Sequence, residues 1–118
     1  MSKKKFAIIG DPISHSLSPA MHNYWFKKYD INAEYSLLNV KENKISDIID
    51  KIQSKELEGI NVTLPYKRSV IPFLSKTIND ANETHSVNTI LLDDENNVVG
   101  ENTDVFGFQA AYLKSFSI

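Results

Sequence analysis

A lysine and an aspartate are the residues of this chain whose types best suit proton transfer at a substrate hydroxyl. Lys67 follows the alternating segment 59–63, and Asp104 precedes the last apolar stretch of the chain. Such a pair suits general acid–base chemistry. Chain position alone favours a solvated surface lysine, and an acid at a helix start also has a stabilising role. The function of the two residues therefore depends on what surrounds them.

Hydroxyl and carboxamide side chains occupy comparable positions elsewhere in the chain. Ser16 and Ser18 stand before a helix, where free backbone N–H groups and the helix dipole favour an anion. Asn61 and Thr63 point to one face of a strand because strand side chains alternate, and Asn88 lies near the end of another strand. Together these donors and acceptors suit a small polyhydroxylated acid.

The segment around the serines also has a simpler interpretation. Ser18 followed by Pro19 is typical of a helix cap with proline at the first helical position. His15 and His22 flank the same loop but lack partners at metal-ligand spacing, so we take them as structural or loop residues and predict no metal site.

Strands and helices alternate along the chain and would position these residues. The predicted strands are 6–9, 34–40, 59–63, 87–92 and a hairpin partner at 98–99; the predicted helices follow Ser18, start at Asn43 and span about 104–115, with one or two short helices in 65–83. The second helix carries Ile45, Ile48, Ile49 and Ile52 at the spacing of an amphipathic stripe.

This order predicts an α/β protein, a three-layer αβα arrangement with a mostly parallel sheet that contains one antiparallel strand. Such sheets bind ligands beyond the carboxyl ends of their strands. We therefore expect the polar loops described above to meet at one edge of the sheet.

Composition limits the class of protein further. The 118 residues are 42% apolar and 24% charged, which is ordinary for one globular domain covering 1–118. A net charge of −2 gives no indication of a nucleic-acid partner, and the absence of cysteine excludes disulfides. The apolar run after the first lysines is too short for a signal peptide, and no stretch approaches the roughly 20 residues of a membrane span. We expect a cytoplasmic protein.

Four ordered segments of the chain resemble the signatures of the shikimate dehydrogenase family. They are SHSLSPAMHN (14–23), GINVTLPYK (59–67), SVNTI (86–90) and GENTDVFG (100–107). The resemblance covers nearly the whole chain and is that of the family's N-terminal substrate-binding and catalytic domain. It implies NADPH-linked reduction of 3-dehydroshikimate to shikimate, in the pathway to aromatic amino acids.

The resemblance also assigns roles to individual residues. It implies that Ser16 and Ser18 bind the substrate carboxylate and that Thr63 and Asn88 hydrogen-bond the substrate, with Asn61 supporting the site. It implies that Lys67 is the catalytic lysine and that Asp104 is the aspartate beside it. We expect Lys67 to act mainly as a charged donor that stabilises the developing alkoxide and orients the substrate hydroxyl. We expect Asp104 to fix Lys67 and to bind a neighbouring hydroxyl of the substrate.

The chain departs from the family in one respect. Its four glycines cannot form the G-x-G-x-x-G loop that binds NADP, so the resemblance implies that the cofactor belongs to a C-terminal domain not present in this chain. We expect an excised domain that is inactive alone. Two alternatives stay open: a domain that prefers quinate, and a non-catalytic module for a small hydroxy acid. The sequence does not fix the oligomeric state, and a homodimer of the complete protein is compatible with it.

Overall fold

The computed structural model of the chain describes residues 3–13 and 17–102. Within these residues the strands are β1 (Lys4–Gly10), β2 (Ala33–Asn39), β3 (Gly59–Val62), β4 (Lys76–Ile78), β5 (Thr89–Leu92) and β6 (Val98–Glu101). The helices are α1 (Ser18–Lys28), α2 (Ile45–Gln53) and α3 (Asp80–Thr84), with short 3-10 turns at Glu42–Lys44 and Ile71–Phe73.

The strands form a single sheet in the order β2-β1-β3-β5-β6-β4. Among the strands of residues 3–13 and 17–102, only β5 runs against its neighbours: it pairs antiparallel with both β3 and β6, whereas the other pairings are parallel. This confirms the predicted fold class with its one antiparallel strand. Because β5 is reversed, its first residue lies at the same edge of the sheet as the carboxyl ends of β1, β3 and β6.

The two faces of the sheet bury separate cores, as a three-layer arrangement requires. One core joins β1, β3 and β5 to α2, whose Ile45, Ile48, Ile49 and Ile52 are all buried. The other core joins Phe6 and Ile8 of β1 to Tyr35 of β2 and Phe26 of α1. Burying each large apolar side chain is worth about 1.5–3 kcal/mol, so the predicted isoleucine stripe is the main anchor of α2.

Two predictions about local structure need correction, and a third falls on residues that the structure does not describe. The segment 65–83, predicted as helical, also contains strand β4, whose three residues pair with β6 and are too few to show a period-2 pattern. Helix α1 begins at Ser18 with Leu17 in the capping position and no side-chain cap, so the prediction of Ser18 as the cap is wrong by one residue. The predicted helix at 104–115 lies outside the described residues.

None of the helices in the described residues is long and apolar enough to cross a membrane.

At the free edge of β2, a side chain of α1 binds the backbone groups of one strand residue. Asn23 donates its Nδ2 to the Tyr35 carbonyl over 3.0 Å and accepts from the Tyr35 N–H over 2.9 Å. This pairing satisfies backbone groups that an edge strand otherwise presents to solvent.

Candidate functional site

Backbone hydrogen bonds bring three of the predicted site residues to one edge of the sheet. The N–H of Val62 donates to the carbonyl of Asn88 over 2.9 Å, and the N–H of Val87 donates to the carbonyl of Lys67 over 2.7 Å. The Thr63 N–H donates to the Ile9 carbonyl over 3.0 Å and continues the ladder past the end of β3. Thr63, Lys67 and Asn88 therefore lie on segments that are tied together where β1 and β3 end and β5 begins.

The loop that leaves β1 packs closely against the loop that leaves β3. The Asp11 N–H donates to the Leu64 carbonyl over 3.2 Å. A Cβ added at Gly10 would lie 2.7 Å from Thr63 Cγ2 and 2.9 Å from the Leu64 oxygen, which is too close for any other residue. Glycine at this position therefore lets the two loops approach each other. They meet at the edge of the sheet that carries Thr63, Lys67 and Asn88, called the site edge below.

A polar cluster holds the start of the β1–α1 loop, the loop that carries the predicted serines. The Asp11 carboxylate forms a salt bridge with Lys41 at 3.1 Å and accepts from Asn39 Nδ2 at 3.1 Å. Asn39 Oδ1 accepts in turn from the Ile13 N–H at 3.2 Å. The hydrogen bond from Lys41, followed by that from Asn39, lowers the pKa of Asp11 below its ordinary value of 3.8.

Lys67 is half-buried, and its ammonium group forms no hydrogen bond or ion pair with the residues described in 3–13 and 17–102. Its backbone is fixed by the bond from Val87, and the turn before it is closed by the Tyr66 N–H donating to the Thr63 carbonyl at 3.0 Å. The backbone of Lys67 is thus held on a segment that is hydrogen-bonded to the one carrying Asn88. A lysine on such a fixed backbone could bind an oxygen that gains negative charge.

Asn61 lies on the α1 side of β3 and is fully engaged in a polar network. The Tyr35 hydroxyl donates to Asn61 Oδ1 over 2.6 Å, and Asn61 Nδ2 donates to the Asn88 carbonyl over 3.1 Å. Asn61 Nδ2 also lies 3.4 Å from Thr89 Oγ1, and Thr89 Oγ1 donates to Asn88 Oδ1 over 3.0 Å. Asn61 therefore holds the Asn88 backbone directly and contacts the Asn88 side chain through Thr89.

Sequence reasoning missed two members of this network, Tyr35 and Thr89. Both are almost completely buried, at 3% and 1% exposure. Buried hydroxyls have hydrogen-bond partners in nearly all proteins, so a tyrosine in the middle of a predicted strand was a usable signal that a polar partner lies nearby. Thr89 directly follows Asn88 in the SVNTI segment and lies opposite Asn61 in the antiparallel register.

Ser18 is the first residue of α1 and is half-buried. Its carbonyl lies 2.8 Å from His22 Nδ1, and the buried His22 ring stacks on Tyr35 with 4.2 Å between ring centroids. Burial lowers the pKa of His22, with the hydrogen bond to the Ser18 carbonyl opposing it. The His22 ring contacts are those of a packed core residue, and they connect the start of α1 to the Asn61 network.

Two predicted site residues, Ser16 and Asp104, lie outside the described residues, so the Lys67–Asp104 pairing stays a prediction. In the described part of the chain, no group of three histidine, aspartate or glutamate side chains is arranged to hold a metal ion. The described glycines do not form a phosphate-binding loop either. Gly10, Gly59 and Gly100 pack tightly against side chains or backbone within the sheet.

The chain is similar to known proteins over most of its length. Residues 8–90 match the family model of the shikimate dehydrogenase substrate binding domain. A curated shikimate dehydrogenase (NADP(+)) of Pelagibacter ubique is 45% identical over 113 residues, which cover 96% of this chain and 42% of the relative. This chain spans about two-fifths of the length of the curated relatives that it matches.

Solved structures show the same fold. A shikimate 5-dehydrogenase of Listeria monocytogenes, in complex with shikimate and NAD, has a TM-score of 0.80 and 31% identity, and the match covers 96% of this chain and 39% of that one. A 5-ketofructose reductase of Gluconobacter sp. strain CHM43 has a TM-score of 0.82 at 23% identity over 97% of this chain and 41% of that one, a likeness that shows the fold alone.

The fold and the site edge define an α/β domain with polar side chains gathered at the carboxyl ends of its parallel strands. The family model matches well over half of the residues, so the chain belongs to the family of shikimate dehydrogenase substrate-binding domains.

Proposed function

We propose that this chain binds shikimate and 3-dehydroshikimate at the site edge and supplies Lys67 and Asp104 to the NADP-linked interconversion of the two. The observation that carries the proposal is the convergence of Thr63, Lys67 and Asn88 on segments that are hydrogen-bonded to one another. These side chains offer a hydroxyl, an ammonium and a carboxamide, which match the hydroxyl and carbonyl groups of such a substrate.

Ser16 and Ser18 are assigned to the substrate carboxylate in this proposal. Ser18 stands at the start of α1, an end of the helix that favours negative charge. The tight packing of the β1 and β3 loops at Gly10 supports this assignment because it ties the start of the serine loop to the segment that carries Thr63 and Lys67. The carboxylate would then fix one end of the ligand, and Lys67 would meet an oxygen elsewhere on its ring.

Lys67 acts as a charged donor in this mechanism. A lysine ammonium is charged near neutral pH, and it stabilises an oxygen that becomes negative more strongly in a partly dehydrated site than in water. The half-buried position of Lys67 meets that condition. When the carbonyl is reduced, Lys67 holds the substrate oxygen and supplies its proton, and Asp104 orients the ammonium group.

NADPH would supply the hydride for reduction of the carbonyl, but the residues described in this chain do not fit the cofactor. The described glycines are packed inside the sheet rather than in a phosphate-binding loop. We assign cofactor binding to the part of the relatives that this chain does not span, and we expect the 118 residues alone to bind substrate without turning it over. A small-molecule substrate is the one partner that the proposal requires.

A chimaeric enzyme tests the proposal. Residues 1–118 would be joined to the remaining part of the Pelagibacter ubique relative, and NADP-dependent oxidation of shikimate and of quinate would be measured with equal amounts of protein. We expect turnover of shikimate in preference to quinate. Preference for quinate would change the assigned substrate from shikimate to quinate. A folded chimaera that binds NADP and shikimate without turnover would show that the domain is a binding module with no catalytic role.

A further inference from the structure

Tyr35 occupies an unusually well-fixed position on the α1 side of the sheet. Its backbone is held on one side by β1 and on the other by both ends of the Asn23 carboxamide. Its ring is stacked on His22 at an angle of 16° and belongs to the core of Phe6 and Phe26. The phenol oxygen of Tyr35 is therefore held at a fixed point.

From that point, hydrogen bonds lead to a predicted substrate-binding residue. The Tyr35 hydroxyl reaches past β1 to Asn61 Oδ1 on β3, and the 2.6 Å distance is at the short end for an O–H donor. Because Oδ1 is held by the phenol, the Nδ2 end of Asn61 faces β5. There it donates to the Asn88 carbonyl and lies 3.4 Å from Thr89 Oγ1.

The last bond of the series orients the Asn88 side chain. Thr89 Oγ1 donates to Asn88 Oδ1 over 3.0 Å. The donors thus run in one direction, from the Tyr35 O–H to the Asn61 amide, then to the Thr89 hydroxyl and the Asn88 oxygen. A series with one direction of donation fixes which end of each carboxamide faces which neighbour.

We propose that Tyr35 is a positioning residue for the substrate site, which acts through Asn61 and Thr89 to fix the carboxamide of Asn88. Anchoring Oδ1 at Thr89 sets the direction in which the Nδ2 end of Asn88 donates, and that end meets a hydroxyl oxygen of the ligand. The inference deepens the proposed function and rests on it for the identity of the ligand. Tyr35 itself does not touch the ligand.

Tyr35→Phe tests the inference because it removes the hydroxyl and keeps the ring that packs on His22. In the 118-residue chain without ligand, we expect the side-chain amide NMR signals of both Asn61 and Asn88 to shift. In a titration with shikimate, we expect the Kd to rise about threefold to tenfold, the effect of one net hydrogen bond. Tyr24→Phe is the matched control, since the Tyr24 side chain is 62% exposed on α1.

Substitution of Thr89 interrupts the same series of hydrogen bonds at a second point. Thr89→Val keeps the shape of the buried side chain but removes the donor to Asn88, whereas Thr89→Ser keeps the hydroxyl. We expect the valine variant to shift the Asn88 amide signal and weaken binding of shikimate, and the serine variant to restore both.

The outcomes separate this inference from the proposed function. If Tyr35→Phe shifts the Asn61 signal but leaves the Asn88 signal and the Kd unchanged, Tyr35 is only a structural residue. If the unmodified chain gives no saturable response to shikimate, the proposed function fails; the ligand-free amide signals still decide whether Tyr35 orients Asn88.

Discussion

The two faces of the sheet are built from the same strands and differ in chemistry. On the α2 face, Ile60 of β3 lies opposite Ile90 of β5, and both are fully buried among apolar side chains. One residue away on the same strands, Asn61 lies opposite Thr89 on the α1 face, in a hydrogen-bonded network. On β3 and β5, period-2 alternation therefore places apolar side chains on the α2 face and a polar network on the α1 face.

This difference has a physical cost that the α1 face must offset. A buried polar group without a partner costs about 1–3 kcal/mol, whereas a buried isoleucine only gains from burial. Tyr35, Asn61 and Thr89 avoid that penalty by satisfying one another. The α1 face therefore accommodates these buried polar side chains only because they are hydrogen-bonded to one another. Single substitutions in this polar network should change ligand binding, while those among the isoleucines of the α2 face should change stability.

The largest effect is expected at the site edge itself. Lys67→Met in the chimaeric enzyme should lower kcat by about 10²–10⁴-fold with little change in KM, because a charged donor to the reacting oxygen acts mainly in the transition state. Lys51→Met, at an exposed position on α2, is the matched control and should leave kcat unchanged. A rise in KM alone for Lys67→Met would refute the transition-state role.

On the α2 face, Ile52→Ala should lower the free energy of unfolding by about 2–5 kcal/mol, because Ile52 has no exposed surface and truncation leaves a cavity. Ile52→Val should cost about 0.5–1.5 kcal/mol. Urea unfolding of the chain gives both values. The Kd for shikimate, measured where each variant is folded, should stay constant; a folded Ile52→Ala protein with lost binding would contradict the division between the faces.

Asn88→Ala should have an intermediate effect on binding. Removal of its carboxamide should raise the Kd for shikimate about tenfold, equivalent to about 1.4 kcal/mol, while the backbone bonds of Asn88 to Val62 and Glu101 stay in place. Asn32→Ala at an exposed position is the control. Equal affinity for both variants, measured by titration calorimetry, would remove Asn88 from the site.

The smallest effect is expected from pH at the anchor of the β1–α1 loop. The pKa of Asp11 is lowered in the folded state, chiefly by Lys41, so its contribution to stability is present above the unfolded pKa and is lost as pH falls through the folded pKa. Between about pH 5 and pH 2, the wild type should therefore lose more stability than Asp11→Asn. Urea unfolding at a series of pH values measures this difference.

A second carboxylate provides the comparison for the acid series. Asp50→Asn removes an exposed carboxylate of α2 that forms no salt bridge with the described residues. The stability of the Asp50→Asn protein should fall with decreasing pH in parallel with that of the wild type. Parallel curves for Asp11→Asn as well would show that the Lys41 contact does not stabilise the folded chain.

Much of the fold could be predicted from local sequence patterns. Helix α2 was predictable because its four isoleucines lie within eight residues, and the antiparallel pairing of β5 with β6 followed from the polar turn between them. Strand β4 was not predictable because its pairing with β6 joins residues more than twenty positions apart. The pattern of its three residues carries no trace of that contact.

The candidate site divides in the same way. Asn61, Thr63, Lys67 and Asn88 were identified from motifs, and the structure adds how their segments are tied together. The sequence could indicate that Tyr35 has a polar partner but not which one, because its hydroxyl meets Asn61 across an intervening strand, 26 residues along the chain. A tertiary contact of this kind leaves no local spacing to detect.

The most direct measurement is an NMR titration of the 118-residue chain with shikimate, followed at every assigned backbone amide. We expect saturable shifts that concentrate at Thr63, Lys67 and Asn88 and leave helix α2 unaffected. Shifts centred on α2, or no saturable shift at millimolar shikimate, would contradict the claim that this edge of the sheet is where the ligand binds.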